Sequence, residues 1–324
     1  MALLNPALKD SLGRRSRYKR QPTGKRIILS NRDIELFKLL YRYRYLRADR
    51  ILKWFSPCSK NRLIERLGDL YHECYFINRI EAQWNGLNAG MMPFAYELTK
   101  NGLNALLEQD GNLLLPDPAV SHAGVRPHET RLFHHALEIS HTLFDLELSL
   151  RKSKTQRILF ETEILSKASE RLGRKIQRSG LPVTIPCSAY MPRQRAVHIT
   201  KALPDALFAV ETIESGKPLY RFYALEVELK SPLIRRTPEK TSTLKKLLAY
   251  QQILNSDTAR KTLSLPNLYV IFSTDSVERL CAIKDLSEQV WSAEERNRLL
   301  LKPLDQSGNS FVEISQKWRE HFQP

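Results

Sequence analysis

Apolar residues recur with helical spacing from position 30 onward. Ser30 stands where a cap belongs, Asp33 follows three residues later, and Ile34, Phe37, Leu40 and Tyr41 share one face, so the pattern predicts a helix to about Tyr43. A second short segment, 48–55, turns Ile51, Leu52 and Phe55 inward. Ser56-Pro57 ends it, because a proline ring disfavours helical geometry in the residue before it. Ser59 then caps a third helix, in which Leu63, Ile64, Leu67 and Leu70 form the apolar stripe and Lys60, Asn61, Arg62 and Arg66 face outward. The period next shifts to two: 74–80 reads as a strand, 83–92 as a glycine-containing tip and 94–98 as a returning strand. Thr99 starts a further helix through Gly102 and Leu106.

Three short helices followed by a β-hairpin predict a winged helix over 27–110, and the string Tyr96-Glu-Leu-Thr-Lys-Asn-Gly102 is similar to the closing strand and helix of bacterial winged-helix proteins. That fold lays its third helix in the major groove, with the helix start against base edges and the wing against backbone, which makes Lys60, Asn61, Arg62 and Arg66 the expected DNA contacts. The alternative is a solvated helix face on a dimerisation domain. Gly111, Pro116, Pro118, Gly124 and Pro127 mark 111–127 as a linker. A long amphipathic helix over 129–152 then opens a second domain, 128–324, followed by a strand at 157–165 and a basic loop or short helix at 167–178. His134, His135 and His141 on that helix are read as packing or surface histidines, since ligand spacing is lacking.

Charge narrows the partner. The 324 residues carry 51 Lys+Arg against 35 Asp+Glu, a net +16, and such an excess points to a polyanion, nucleic acid first. Residues 1–26 hold eight basic side chains against the single acid Asp10, broken by Pro6, Pro22 and Gly24. They read as a disordered basic arm whose Arg14, Arg15, Arg17, Lys19 and Arg20 track phosphates, or else as a solvated tail or targeting signal. Apolar runs fall well short of the ~20 residues a membrane span needs, and Pro6 and Lys9 interrupt the start too early for a secretory signal, so a cytoplasmic, nucleoid-associated protein is expected. Cys58, Cys74, Cys187 and Cys281 are scattered and read as reduced and structural. No phosphate-loop or dinucleotide-binding glycine motif occurs.

The residues with most chemical content are Pro204-Asp205-Ala-Leu-Phe-Ala-Val, a turn at Ser215-Gly216-Lys-Pro218, and Tyr220-Arg-Phe-Tyr-Ala-Leu-Glu226-Val-Glu228-Leu-Lys230. They predict a β-hairpin with Glu226, Glu228 and Lys230 on one face of its second strand and Tyr223, Leu225, Val227 and Leu229 on the other. With Asp205 these acids offer hard oxygen donors for a divalent metal, beside a lysine able to orient water. The layout resembles the PD-(D/E)xK nuclease superfamily, on an α/β domain. The resemblance implies that Asp205 and Glu228 hold Mg²⁺ or Mn²⁺, that the Leu229 carbonyl completes the shell, and that Lys230 assists the attacking water. Glu226 is then an extra ligand, or else the working motif is Glu226-x-Glu228 and Lys230 is incidental. Glu138 on the long helix and Gln251 in a helix at 244–254 fit the superfamily's two helix positions, while Lys245, Lys246 and Tyr250 face phosphates. The bland alternative is an edge strand salt-bridged for solubility. Further on, 268–273 reads as a core strand, 277–290 and 315–322 as amphipathic helices, and Trp291 and Trp318 as core anchors.

Taken together, the winged helix, the proline-broken linker, the long helix with His134 and His135, the Pro-Asp-Ala strand and the aromatic-rich acidic strand resemble the replication-relaxation family over 27–275. That family's strand usually closes with Glu-x-Asp and often lacks the lysine, whereas this chain has Glu226-x-Glu228 and then Lys230. The resemblance implies a DNA-binding protein of a plasmid or mobile element, acting in replication, mobilisation or relaxation, and the departure toward a complete nuclease set makes a Mg²⁺-dependent endonuclease acting on double-stranded DNA the first expectation. The other class of function is a catalytically inactive adaptor or regulator that uses the nuclease-like fold as a scaffold, with a protein partner of the same genetic system or as a homodimer. An RNA-directed enzyme is a third.

Overall fold

A computed structural model describes residues 15–17, 19–84, 92–109, 130–161, 163–164, 184–191, 194–229, 243–256, 258–263, 265–303 and 321–322. The protein is mixed α/β and divides into two compact units inside one long helix, described residues through Asp145 belonging to the first and those from Leu146 onward to the second. The domain start expected at 128 is thus displaced into that helix. The reason is packing, since Phe133 and Leu137 bury against Tyr45, Ile80, Ala82 and Ala95 of the first unit. The expected linker 111–127 lies outside the described residues.

In the first unit, α1 (Asn31–Tyr43) starts at Ser30, whose hydroxyl accepts from the Asp33 amide while the Asp33 carboxylate accepts from the Ser30 amide. This reciprocal cap satisfies two otherwise orphaned donors. The buried stripe is Leu36, Phe37, Leu39, Leu40 and Tyr43, rotated slightly from the expected one, with Ile34 and Tyr41 only partly covered. Strand β1 (Leu46–Arg47), α2 (Ala48–Trp54) and α3 (Lys60–His72) follow, then β2 (Ile77–Arg79), β3 (Ala95–Leu98), α4 (Lys100–Gln109) and α5 (Thr130–Leu150). The three strands form an antiparallel sheet of order β1-β3-β2, with Leu46 opposite Tyr96 and Asn78 opposite Glu97. On α3, Leu63, Leu67 and Leu70 are buried as expected, but Ile64 lies a quarter-turn round from that stripe and is 44% exposed. Most of the expected tip, 85–91, is outside the described residues.

In the second unit β4 (Gln156–Phe160), β7 (Ala206–Glu214) and β8 (Lys217–Glu228) pair antiparallel, β9 (Leu268–Thr274) and β10 (Leu299–Pro303) add in parallel, and the order is β10-β9-β8-β7-β4. Parallel neighbours need crossovers, and α6 (Thr243–Asn255) and α8 (Val277–Val290) lie in them, with a short α7 (Thr258–Leu263). The β7–β8 turn is Ser215-Gly216, both at positive φ of 50° and 76°, the primed geometry that suits the twist of a two-residue hairpin. A separate antiparallel ribbon, β5 (Ile185–Met191) with β6 (Gln194–Ala202), has no counterpart in the sequence expectations; its Ile185 and Ile199 share a core with Leu247 and Tyr250 of α6. Alternation along β8 places Phe222, Ala224, Glu226 and Glu228 toward α6, while Tyr223 on the opposite face stacks on Phe208 and Tyr269. Trp291 is the anchor expected, buried with its indole N–H donating to the Leu247 carbonyl at 2.9 Å.

Gly102 shows how tightly α4 seats on the first unit. A Cβ there would lie 2.2 Å from the Phe76 carbonyl oxygen and 2.5 Å from a Leu98 methyl. Gly102→Ala should destabilise the first unit by about 2–3 kcal/mol, as overpacked sites do, measured as a lower denaturant midpoint.

Candidate functional site

The described residues present two sites, one on each unit. In the first, the Ser59 hydroxyl caps α3 by accepting from the Arg62 amide, and Lys60, Asn61 and Arg62 project from the first turn, all exposed. Arg66, predicted alongside them, is turned inward instead. Its guanidinium holds Asp33 through Nη2 at 2.7 Å and Nε at 3.0 Å and also donates to the Ile28 carbonyl at 2.7 Å. Burial by itself would raise the Asp33 pKa, but the hydrogen bonds from Arg66 and Ser30 outweigh it and the net shift is downward. One carboxylate thus caps α1 and anchors α3, so Arg66 is structural.

Several cations of the basic arm are also committed. Arg15 bonds Asp69 at 2.8 Å and Glu73 at 2.6 Å, and Lys25 bonds Asp69 at 2.6 Å. Arg20 lies between the rings of Tyr71 and Tyr75, at 4.3 and 3.3 Å from their centroids, and donates to the Tyr71 and Ile77 carbonyls and to Asn78. Arg79 fills the other face of Tyr71 at 4.2 Å and stands 4.5 Å from Phe94, over which Arg17 also lies at 4.6 Å. Three guanidiniums and three aromatic rings therefore alternate, each cation meeting the negative face of a π-system. Arg15, Arg17 and Arg20, expected in a disordered, phosphate-tracking arm, thus have partners within the fold: Asp69 and Glu73 for Arg15, Phe94 for Arg17, and Tyr71 and Tyr75 for Arg20. Lys19 remains exposed, and Arg14 is outside the described residues.

In the second unit, Ala206 pairs with Leu225, so Asp205 falls opposite Glu226. The Asp205 amide donates to the Leu225 carbonyl at 2.9 Å and its Oδ2 accepts from the Val227 amide at 2.8 Å, bracketing Glu226. Glu226 and Glu228 are both buried. Glu226 Oε1 accepts from the Tyr250 hydroxyl at 2.6 Å, and its Oε2 lies 2.5 Å from Lys246 Nζ. Glu228 Oε1 accepts from Lys246 at 2.9 Å, and its Oε2 from Arg279 Nη2 at 2.6 Å. Lys246 and Tyr250 are i, i+4 on α6 and so reach the strand together. Burial pushes the Glu226 carboxyl up to about 7, with Lys246 opposing and Asp205 adding to the rise; the surrounding carboxylates hold the Lys246 ammonium in its charged form despite its burial.

Several expected roles change. Lys246 and Tyr250, predicted to face phosphates, point into the carboxylates, while Lys245 stays partly exposed. Gln251 turns away, donating to the Val290 carbonyl at 2.5 Å and to Glu295. Glu138 lies in the first unit, 3.6 Å from His141. Leu229 is the first residue past β8, and Lys230 is outside the described residues. Arg279 was missed because nothing in its local sequence tells which strand its helix will face.

The implied Mg²⁺ or Mn²⁺ does not fit these donors as arranged. Such ions need carboxylate oxygens free to converge at about 2.0–2.1 Å, whereas three of the four glutamate oxygens accept hydrogen bonds from an ammonium, a guanidinium or a phenol, and the fourth, Glu226 Oε2, has no hydrogen bond but lies 2.5 Å from the Lys246 ammonium. Among the described residues no group of three His, Cys, Asp or Glu could hold a metal ion. The four cysteines are free, and among the described residues no helix is long and apolar enough to cross a membrane. Comparison with protein-family models, with curated proteins and with solved structures finds no match.

Arg66→Ala should cost about 3 kcal/mol, because it strands a buried carboxylate, and chemical denaturation reads this directly. His72 gives a pH signature. Its Nδ1 accepts from the Gln21 amide at 3.1 Å, and burial, followed by Arg15 and Arg79, depresses its pKa to about 4. A depressed histidine contributes stability that is present above the unfolded value near 6.5 and is lost as pH falls toward 4. Wild type should lose about 2–3 kcal/mol between pH 7 and 4.5 through this residue, a component absent from the denaturation curves of His72→Gln.

Proposed function

We propose that this chain is a duplex-DNA-binding protein that acts as an adaptor or regulator without cutting the DNA it binds. The observation that carries the reading is the trio Lys60, Asn61 and Arg62, exposed on the first turn of a capped α3 within a unit of order α1-β1-α2-α3-β2-β3. That order, with β3 central in its sheet, supports a winged helix, in which the corresponding helix start meets base edges. Lys60 and Arg62 supply phosphate or guanine contacts, and Asn61 is suited to adenine, whose N6 and N7 it can engage together. The excess of basic residues supports the same partner.

For the second unit, the five-stranded mixed sheet with Asp205 opposite Glu226 supports a nuclease-like scaffold. The partners already held by Glu226 and Glu228 favour its use for structure and docking over phosphodiester hydrolysis. The resemblance to the replication-relaxation family connects such a protein to plasmid or mobile-element maintenance, with a protein partner of the same system as the scaffold's occupant.

Fluorescence anisotropy on duplex DNA tests this. Wild type should bind with a steep salt dependence, and Lys60→Ala/Arg62→Ala should lower the slope of log affinity against log salt by about 1.8. Asn61→Ala should relax sequence preference with the slope unchanged. Binding indifferent to all three substitutions would refute the assignment, as would Mg²⁺-dependent nicking of supercoiled plasmid that Asp205→Ala abolishes.

A further inference from the structure

We propose that the Lys246 ammonium is the resident cation of the Asp205, Glu226 and Glu228 cluster, built into the chain at the place where a nuclease-like sheet would recruit a divalent metal. The inference rests on reading the second unit as a nuclease-like scaffold. Its basis is the accounting of oxygens and charges around one nitrogen. Nζ stands 2.5 Å from Glu226 Oε2 and 2.9 Å from Glu228 Oε1, bridging two carboxylates that β8 brings to one face. The remaining oxygen of Glu228 is taken by Arg279 at 2.6 Å, and that of Glu226 by the Tyr250 hydroxyl at 2.6 Å. Asp205, opposite Glu226, spends Oδ2 on the Val227 amide. Two like charges two residues apart on one buried strand face would repel, and burial would drive one of them neutral. A single bridging ammonium removes both costs at once, as a metal would, but it is tethered to α6 and cannot exchange with solvent ions.

The tether makes a directional prediction. Removing the ammonium should convert the cluster into a divalent site, because Glu226 then loses the cation at its Oε2 and Glu228 is left with Arg279.

The experiment is a Mn²⁺ titration of the full-length protein, with bound ion counted by the loss of the free-Mn²⁺ EPR signal and Tm followed in parallel. Wild type should bind no stoichiometric Mn²⁺ and show no rise in Tm. Lys246→Met should melt lower than wild type, bind about one Mn²⁺, and regain about 4–7 °C when the ion is in hundredfold excess over its Kd. Adding Asp205→Asn to Lys246→Met should abolish that recovery.

Stoichiometric Mn²⁺ on wild type, lost in Asp205→Asn, overturns the proposal, as does a folded Lys246→Met that ignores Mn²⁺. Should Lys246→Met not fold, the wild-type titration still decides, and Lys246→Gln provides a second, polar replacement. Failure of DNA binding by the Lys60/Arg62 test strikes the proposed function and leaves this inference standing. Wild-type Mn²⁺ binding without nicking strikes this inference alone.

Discussion

A carboxylate buried on a β-strand must find a positive partner or lose its charge, and β8 buries two of them on the same face. That constraint organises the second unit. Because Glu226 and Glu228 point toward the crossover helices, α6 has to present Lys246 and Tyr250 in adjacent turns, and α8 has to bring Arg279 to the other side of Glu228. The parallel pairing of β8 with β9 sets Glu226 beside Phe272 and Glu228 beside Thr274, so the ion pairs sit at the end of an apolar layer that includes Ala224, Val270 and Leu247. Such networks add little net stability over apolar packing, but an α6 shifted by one residue would leave charges unpaired. Their effect is on register.

The first unit solves a different problem with the same currency of charge. A short chain segment, 15–25, has little apolar surface with which to dock, so it is held by its cations: Arg15 and Lys25 on the acids of α3, Arg17 and Arg20 in the stack with Arg79, Tyr71, Tyr75 and Phe94. Arg66 repeats the device from within the fold by gripping Asp33. Basic residues that composition would assign to a polyanion are thereby divided. Some are structural, and the exposed remainder, Lys60 and Arg62 among them, is what a phosphate backbone could meet.

By itself, the sequence determined the local elements. The Ser30–Asp33 and Ser59 caps, the 3.6-residue stripes of α1 and α3, the turn at Ser215-Gly216 and the alternation of β8 are all interactions within a few residues, which is why they could be read in advance. The pairing of acids on one strand face was legible for the same reason. The β5–β6 ribbon and β10 were not, because they owe their place to packing on α6 and to pairing with β9. Only the tertiary structure decided which cation answers which acid: Lys246 over 18 residues, Arg279 over 51, Arg66 over 33 and Arg15 over 54. Local pattern tells that a side chain is charged and which way it faces. Whether that charge meets solvent, a ligand or a buried carboxylate depends on what the rest of the chain folds against it, and that long-range term brings Lys246 and Arg279 to the acids expected to hold a metal.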